Sequence, residues 1–347
     1  MRGAESAVVV DLRPLSNAHS RRGIGRYISQ LIGDPLPHGY VAVREVRSWS
    51  PPLVRSAPGS IVLHLPPRPR MRLDPLGARL VRGTIERLRP HLVHLTDPYG
   101  YDAAPRGVQL LVTLYDLILL DQPGRLPTLF TRGVRSLANR ADVRWMAISA
   151  TTRDAAVARL GLDPEAVHVL PPGPTVWPTT TSHPEATLLV VGAVDEHKRP
   201  DHALSAARAA GLPIRFAGRH DPSLLDHWGI SDGERLPDLD DAALGARIRG
   251  AIAVVHASRA EGFGLPVLEA LSLGTPVVAY DLPVTREIVG PGYPLVAEVE
   301  GSEGLARLAR EVMDPERRAE VVASAADSLS RFSWERSRAS LRSLWSI

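Results

Sequence analysis

The chain has 347 residues, 44% hydrophobic and 23% charged, with 41 Lys+Arg against 38 Asp+Glu and no Cys, which suggests two domains of ordinary globular composition. The missing cysteines exclude disulfides, cysteine nucleophiles, thiolate zinc sites and iron–sulfur clusters. No signal peptide is expected from the N-terminus, and no window reaches the ~18 apolar residues of a membrane span, so a soluble, cytoplasmic protein is expected.

Short apolar runs alternate with helical patterns, the signature of parallel α/β architecture. Strands are predicted at 7–10, 60–65, 92–95, 109–114 and 143–148, and helices at 24–33, 75–89, 128–140 and 150–160. Leu170-Pro-Pro-Gly-Pro174, continued by Pro178, threonines 179–181 and Pro184, reads as a linker. The rhythm then restarts, with strands at 188–191, 214–217, 252–255 and 276–279 and helices at 200–210, 241–250 and 264–273. The expectation is two doubly wound parallel-sheet domains, 1–177 and 183–330. Ligands in such sheets bind outside the carboxyl ends of the strands, and two facing domains make a cleft. An amphipathic segment from Phe332 to Trp345 is left over.

Charge is spread unevenly. Residues 1–175 hold 23 Arg and 14 acids, net +9, and residues 176–347 hold 18 basic and 24 acidic groups, net −6. A basic first half suggests an anionic partner. No basic stripe with interleaved aromatics supports nucleic acid, and none is expected. Arg68, Arg70, Arg72, Arg79, Arg82, Arg87 and Arg89 crowd one region. A solvated face is the default there, and contact with anionic lipid or a phosphorylated acceptor is the alternative.

The most informative stretch is Ser258-Arg-Ala-Glu261-Gly262-Phe263-Gly264-Leu265-Pro266-Val-Leu-Glu269. Gly262 and Gly264 permit tight turns and leave no Cβ in the way of a ligand. Pro266 suits a first helical turn, and the unpaired amides at that turn suit a phosphate. Glu269, one turn further, is placed to accept from a ribose diol. Two acids at this spacing also fit a capped helix with solvated carboxylates; the Gly-Phe-Gly-Leu-Pro between them favours a ligand site.

Residues 251–289 resemble the nucleotide-sugar segment of family 4 glycosyltransferases, retaining enzymes of the GT-B fold. The Glu-x7-Glu pattern falls on Glu261 and Glu269, and Gly274-Thr-Pro276-Val-Val, Asp281 and Glu287 also match. The resemblance implies that Glu269 binds the donor ribose and that Glu261 faces the transferred sugar. It also puts Gly262 and the amides of Phe263, Gly264 and Leu265 at sugar and diphosphate. Val191-Gly192-Ala-Val-Asp-Glu-His197-Lys198 resembles the family's Gly-x-x-x-x-Arg-Lys, in which cations hold the diphosphate. Lys198 is the single lysine of the chain, and its implied role is to neutralise charge on the leaving diphosphate; a surface lysine in a turn is the bland alternative. His197 and Ala193 stand where relatives carry Arg, and Arg199 is the expected stand-in.

Arg21-Arg22-Gly23-Ile24-Gly25-Arg26-Tyr27 holds two glycines of a dinucleotide fingerprint, with Ile28 in the third place. It is similar to the family's Gly-Ile-Gly-Arg-Tyr loop, which implies that Gly23 and Gly25 approach the diphosphate. In Thr113-Leu-Tyr115-Asp116 the family's usual His-Asp keeps Asp116 but has Tyr115 in the His position. A phenol donates a hydrogen bond but is no base near pH 7. A same-face mechanism, in which the leaving diphosphate takes the acceptor's proton, tolerates that change. Asp238-Leu-Asp240 spells the Asp-x-Asp of metal-dependent transferases, but it precedes Asp241-Ala-Ala-Leu and reads as cap and first-turn acids. No metal and no cofactor beyond the sugar nucleotide are expected.

The resemblance therefore implies retaining, metal-independent transfer of a hexose or deoxyhexose from a nucleoside-diphosphate sugar, bound by the C-terminal domain. The acceptor is a hydroxyl compound, an anionic one included: a glycoside, an antibiotic oligosaccharide or a cell-envelope glycan precursor. Helix 331–347 is implied to cross back onto the first domain. The Arg-heavy composition fits small transferases that decorate oligosaccharide antibiotics, of the avilamycin-pathway type, and cell-wall transferases equally well. Tyr115, Ala193 and His197 depart from the pattern together, as in a pseudo-glycosyltransferase that binds nucleotide and supports a partner. A GT-B nucleotide-sugar epimerase is the other alternative.

Overall fold

The computed structural model describes residues 8–16, 23–33, 36, 40–47, 53–57, 59–65, 75–122, 124–178, 184–218 and 222–346. The chain divides into two compact units, Met1–Pro172 with Trp334–Ile347, and Gly173–Ser333.

The first unit is built on one sheet. Its elements in chain order are β1 (Val8–Asp11), α1 (Gly23–Ile32), β2 (Tyr40–Arg47), β3 (Leu53–Ala57), β4 (Ser60–Leu65), α2 (Pro75–Leu88), β5 (Leu92–Leu95), β6 (Gln109–Leu114), α3 (Arg125–Ala138), β7 (Val143–Ala147), α4 (Ala150–Leu160) and β8 (Val167–Val169). The strand order is β3-β4-β2-β1-β5-β6-β7-β8, parallel except for β3 against β4. Val9 pairs with Val41 on one side and Val93 on the other, and Val9, Val93, Leu110, Val112 and Trp145 lie in the core. The strands after β1 run first to one side and then, from β5, to the other. Their point of reversal, between the carboxyl ends of β1 and β5, is where such sheets take ligands.

Strands β2, β3 and β8 were not among the predicted strands. β2 carries Arg44, Glu45 and Arg47, which mask the run, yet it lies between β1 and β4 and buries Glu45. The helix predicted at 128–140 begins earlier, at Arg125. Ser149 starts α4 by accepting from the Thr152 amide at 2.9 Å, and Gly161 at φ 67° ends it. Such a cap contributes about 1 kcal/mol.

The second unit restarts with β9 (Leu188–Val191), α5 (Pro200–Ala210), β10 (Ile214–Ala217), α6 (Pro222–His227), α7 (Asp241–Gly250), β11 (Ala253–His256), α8 (Leu265–Ser272) and β12 (Val277–Ala279). Helices α9 (Pro283–Val289), α10 (Gly301–Glu311), α11 (Pro315–Ala323) and α12 (Ala326–Leu329) complete it. The four strands are parallel in the order β10-β9-β11-β12. Their reversal falls between the carboxyl ends of β9 and β11. A Cβ on Gly218, after β10, would lie 2.6 Å from the Gly192 carbonyl oxygen, after β9, so two strand-end turns meet backbone to backbone there.

Helix α13 (Trp334–Trp345) belongs to the first unit. Trp334 packs against Tyr27 with ring centroids 5.8 Å apart. Ser337 Oγ donates to the Pro171 carbonyl at 2.6 Å, and Arg338 Nε to the Gln30 carbonyl at 2.7 Å. Trp345 Nε1 donates to Nδ1 of the buried His94 at 3.2 Å, and His94 Nε2 lies 2.9 Å from Thr113 Oγ1. Among the described residues no helix is long and apolar enough to cross a membrane.

Candidate active site

At the reversal point of the second sheet, the turn after β9 leaves through Gly192 at φ 119° and closes in a single 3-10 turn, Glu196–Lys198. Arg199, left-handed at φ 49°, then starts α5 ahead of Pro200. The turn after β11 comes alongside, with the Arg259 amide donating to the His197 carbonyl at 2.8 Å. Two sequence stretches more than 60 residues apart are thereby fixed side by side.

Their side chains meet at Glu261. Lys198 Nζ donates to Glu261 Oε1 at 2.6 Å, Ser258 Oγ donates to the same oxygen at 2.7 Å, and His256 Nε2 lies 3.5 Å from it. Glu261 Oε2 has no hydrogen-bond partner among the described residues, and Lys198 Nζ has none besides Glu261. Burial alone would raise the carboxyl pKa; Lys198, His256 and Ser258 outweigh it and hold it at about 2. The site is thus a charged carboxylate with one oxygen held and the other open, beside an ammonium with donors to spare.

The turn continues into α8. Gly264 is its N-cap at φ 100° and Pro266 lies in its first turn. Phe263 is buried edge-on against Phe332, with centroids 5.5 Å apart. The amide of Leu265 opens the helix, where fixed donors and the helix dipole suit an anion. One turn in, Glu269 is 4% exposed and accepts from Thr175 Oγ1 at 2.7 Å.

Of the other predicted donor residues, His197 pairs through Nδ1 with Asp195 at 3.0 Å, and that bond lowers the Asp195 pKa. Arg199 reaches Glu298 at 3.5 Å and also contacts His202; its guanidinium is engaged there, and Lys198 is the cation of this run at Glu261. Asp240 behaves as a cap, accepting from the Ala243 amide of α7 at 2.8 Å. Among the described residues no group of three or more His, Asp or Glu is arranged to hold a metal.

In the first unit, Gly23 and Gly25 lie in the first turn of α1, while Arg21 and Arg22 fall outside the described residues, as do Arg68, Arg70 and Arg72. Tyr115 is buried, and its hydroxyl donates to the Thr96 carbonyl at 2.6 Å; Thr96 Oγ1 in turn donates to the Asp11 carbonyl at 2.6 Å. Burial, then the charge of Asp97, raises the phenol pKa well above its ordinary value. Asp116 accepts from the Ile118 amide at 3.0 Å. Sequence reasoning did not single out His256 or Thr175. His256 ends a strand as one more residue of an apolar run, and Thr175 sits in a stretch read only as linker.

Comparison with known proteins accords with this architecture. The family described as "Glycosyl transferase 4-like domain" matches residues 22–173, and "Glycosyl transferases group 1" matches residues 177–328. D-inositol 3-phosphate glycosyltransferase of Geodermatophilus obscurus is 30% identical over 359 residues, covering 87% of this chain and 78% of the relative. Sucrose-phosphate synthase from Thermosynechococcus elongatus superposes with a TM-score of 0.74 at 18% identity, covering 98% of each chain. HepE from Anabaena, solved in complex with UDP and glucose, superposes with a TM-score of 0.70 at 16% identity over 99% of this chain and 100% of its own. The fold is that of the GT-B glycosyltransferases. The chain belongs to the group 1 glycosyltransferase family and is a glycosyltransferase.

Proposed function

We propose that the protein transfers a hexose or deoxyhexose from a nucleoside-diphosphate sugar to a hydroxyl acceptor with retention, and that the unit Gly173–Ser333 binds the donor. The observation that carries this reading is the carboxylate of Glu261, clamped through Oε1 by Lys198 and Ser258 and open at Oε2. In this reading Oε2 accepts from a hydroxyl of the transferred sugar. When the donor binds, Lys198 turns to the diphosphate, with the first amides of α8 beside it. Glu269 takes the ribose diol, its carboxylate already oriented by Thr175. The UDP found in HepE makes UDP the first nucleotide to try.

Transfer then breaks the bond from the sugar's anomeric carbon to the diphosphate oxygen and forms one to the acceptor oxygen on the same face. The acceptor's proton passes to the departing diphosphate. Lys198 stabilises the charge that builds on that group, a contribution that grows toward the transition state. Tyr115 supports this by holding the Thr96 backbone and not by proton transfer, because its hydroxyl already donates to a carbonyl. The acceptor is a hydroxyl compound. Part of the basic excess of the first half is engaged internally: Arg13 with Asp11 and Arg140 with Asp142. D-inositol 3-phosphate, named for the relatives, and neutral inositol are therefore paired test acceptors for an anionic preference.

The test is thermal unfolding with UDP, GDP, dTDP and ADP, for the wild type and Glu269→Gln. A ligand at 100 times its dissociation constant adds about 2.7 kcal/mol. One diphosphate that stabilises the wild type and loses most of that effect in the variant supports the site; no shift with any of the four overturns it.

A further inference from the structure

His256 has no part in the reading above. It closes β11 with its side chain 5% exposed, and its Nε2 is buried without a hydrogen-bond partner, 3.5 Å from Glu261 Oε1. Buried polar atoms are nearly always paired, so an orphan beside a reactive carboxylate calls for a use. Burial, together with Lys198 and His197, keeps the ring neutral against the pull of Glu261, with a pKa of about 4. A neutral imidazole retains one N–H, and the acceptor facing Nε2 is Glu261. The separation exceeds the ~2.7–3.2 Å of a formed N–H···O bond, while Oε1 already takes Lys198 and Ser258.

We propose that His256 is a positioning residue that takes over Glu261 when Lys198 turns to the donor diphosphate. This rests on the donor-site reading. As Nζ leaves Oε1 for a phosphate oxygen, the buried carboxylate keeps only Ser258. A small closure of the Nε2 distance makes the hydrogen bond that replaces the lost one. Because His256 is neutral, the exchange leaves the negative charge of Glu261 intact for the sugar hydroxyl at Oε2. A second cation would quench that charge and compete with Lys198 for the same carboxylate.

A double-mutant cycle on nucleotide binding tests the handover. UDP affinity is measured by titration calorimetry on the full chain for the wild type, His256→Leu, His256→Gln, Glu261→Gln and the His256→Leu/Glu261→Gln pair. His256→Leu should weaken UDP about tenfold, and that loss should vanish in the Glu261→Gln background, since contacting residues couple on this scale. His256→Gln, which keeps an N–H near the Nε2 position, should recover most of the affinity. His256→Asn, which is too short to reach Glu261, replaces His256→Leu if the latter fails to fold. Wild-type affinity in His256→Leu, or an equal loss in both backgrounds, means His256 only packs and overturns the proposal. If none of UDP, GDP, dTDP and ADP binds the wild type, the donor-site reading falls and takes the handover with it. If a nucleotide binds and the cycle shows no coupling, only the handover falls.

Discussion

Glu261 stays ionised inside the protein because three side chains face one of its oxygens. Its folded pKa, near 2, lies below the ordinary carboxyl value of 4.5. A depressed carboxyl pKa contributes stability above the unfolded value and loses it as pH falls through the folded one. That contribution is therefore full above about pH 4.5 and fades toward pH 2. Lys198→Ala should flatten this acid dependence, read from denaturation midpoints between pH 7 and 3. The same substitution should slow turnover at saturating donor by about 10- to 1000-fold; full turnover would sink the diphosphate assignment. Lys198 and Glu261 could be singled out in the sequence by rarity and spacing. Thr175 could not, because 94 residues separate it from Glu269 and only the fold joins them. Arg199 shows a further limit: its position beside Lys198 suggested a phosphate ligand, but nothing in the sequence showed that Glu298, 99 residues away, lies within reach of the same guanidinium.

Elements were legible where one physical signal dominated. Strands that are wholly apolar, such as β9, or mostly so, such as β6, stood out, whereas β2 hides its central place behind Arg44 and Glu45. Helix α13 was visible as an amphipathic segment, but its attachment is a matter of single contacts. Trp345 Nε1 satisfies His94 Nδ1, and burial holds the His94 pKa down at about 3. Trp345→Phe keeps an aromatic ring but removes the donor and part of the buried indole, leaving a buried acceptor bare at a cost of about 1–3 kcal/mol on top of the lost packing. A lowered melting temperature at pH 7.5 is the expected readout. A histidine with a depressed pKa contributes stability above its unfolded value, near 6.5, and loses it as pH falls below that.

Across the whole molecule, the fold sharpens the charge asymmetry visible in the sequence. Returning α13 to the first unit gives it 26 basic and 15 acidic residues, net +11, and leaves the second with 15 and 23, net −8. On the proposed donor-site reading an anionic nucleotide binds to the acidic unit, and its attraction has to come from Lys198 and local amides. Deleting 334–347 should therefore destabilise the first unit while the second still binds UDP. Calorimetry of the truncated chain checks this, through an early transition that UDP does not shift and a later one that it does.

The discontinuity of the first unit also sets an order of events during synthesis. Residues 1–172 emerge from the ribosome long before residues 334–345, so the nascent first unit waits through the making of the entire second unit. Until then His94 and Tyr27 lack their α13 partners. The second unit is contiguous in the chain and can close as soon as it is made. The first half to be translated is thus the last to be finished, and damage to the final helix registers as a folding defect in the opening half.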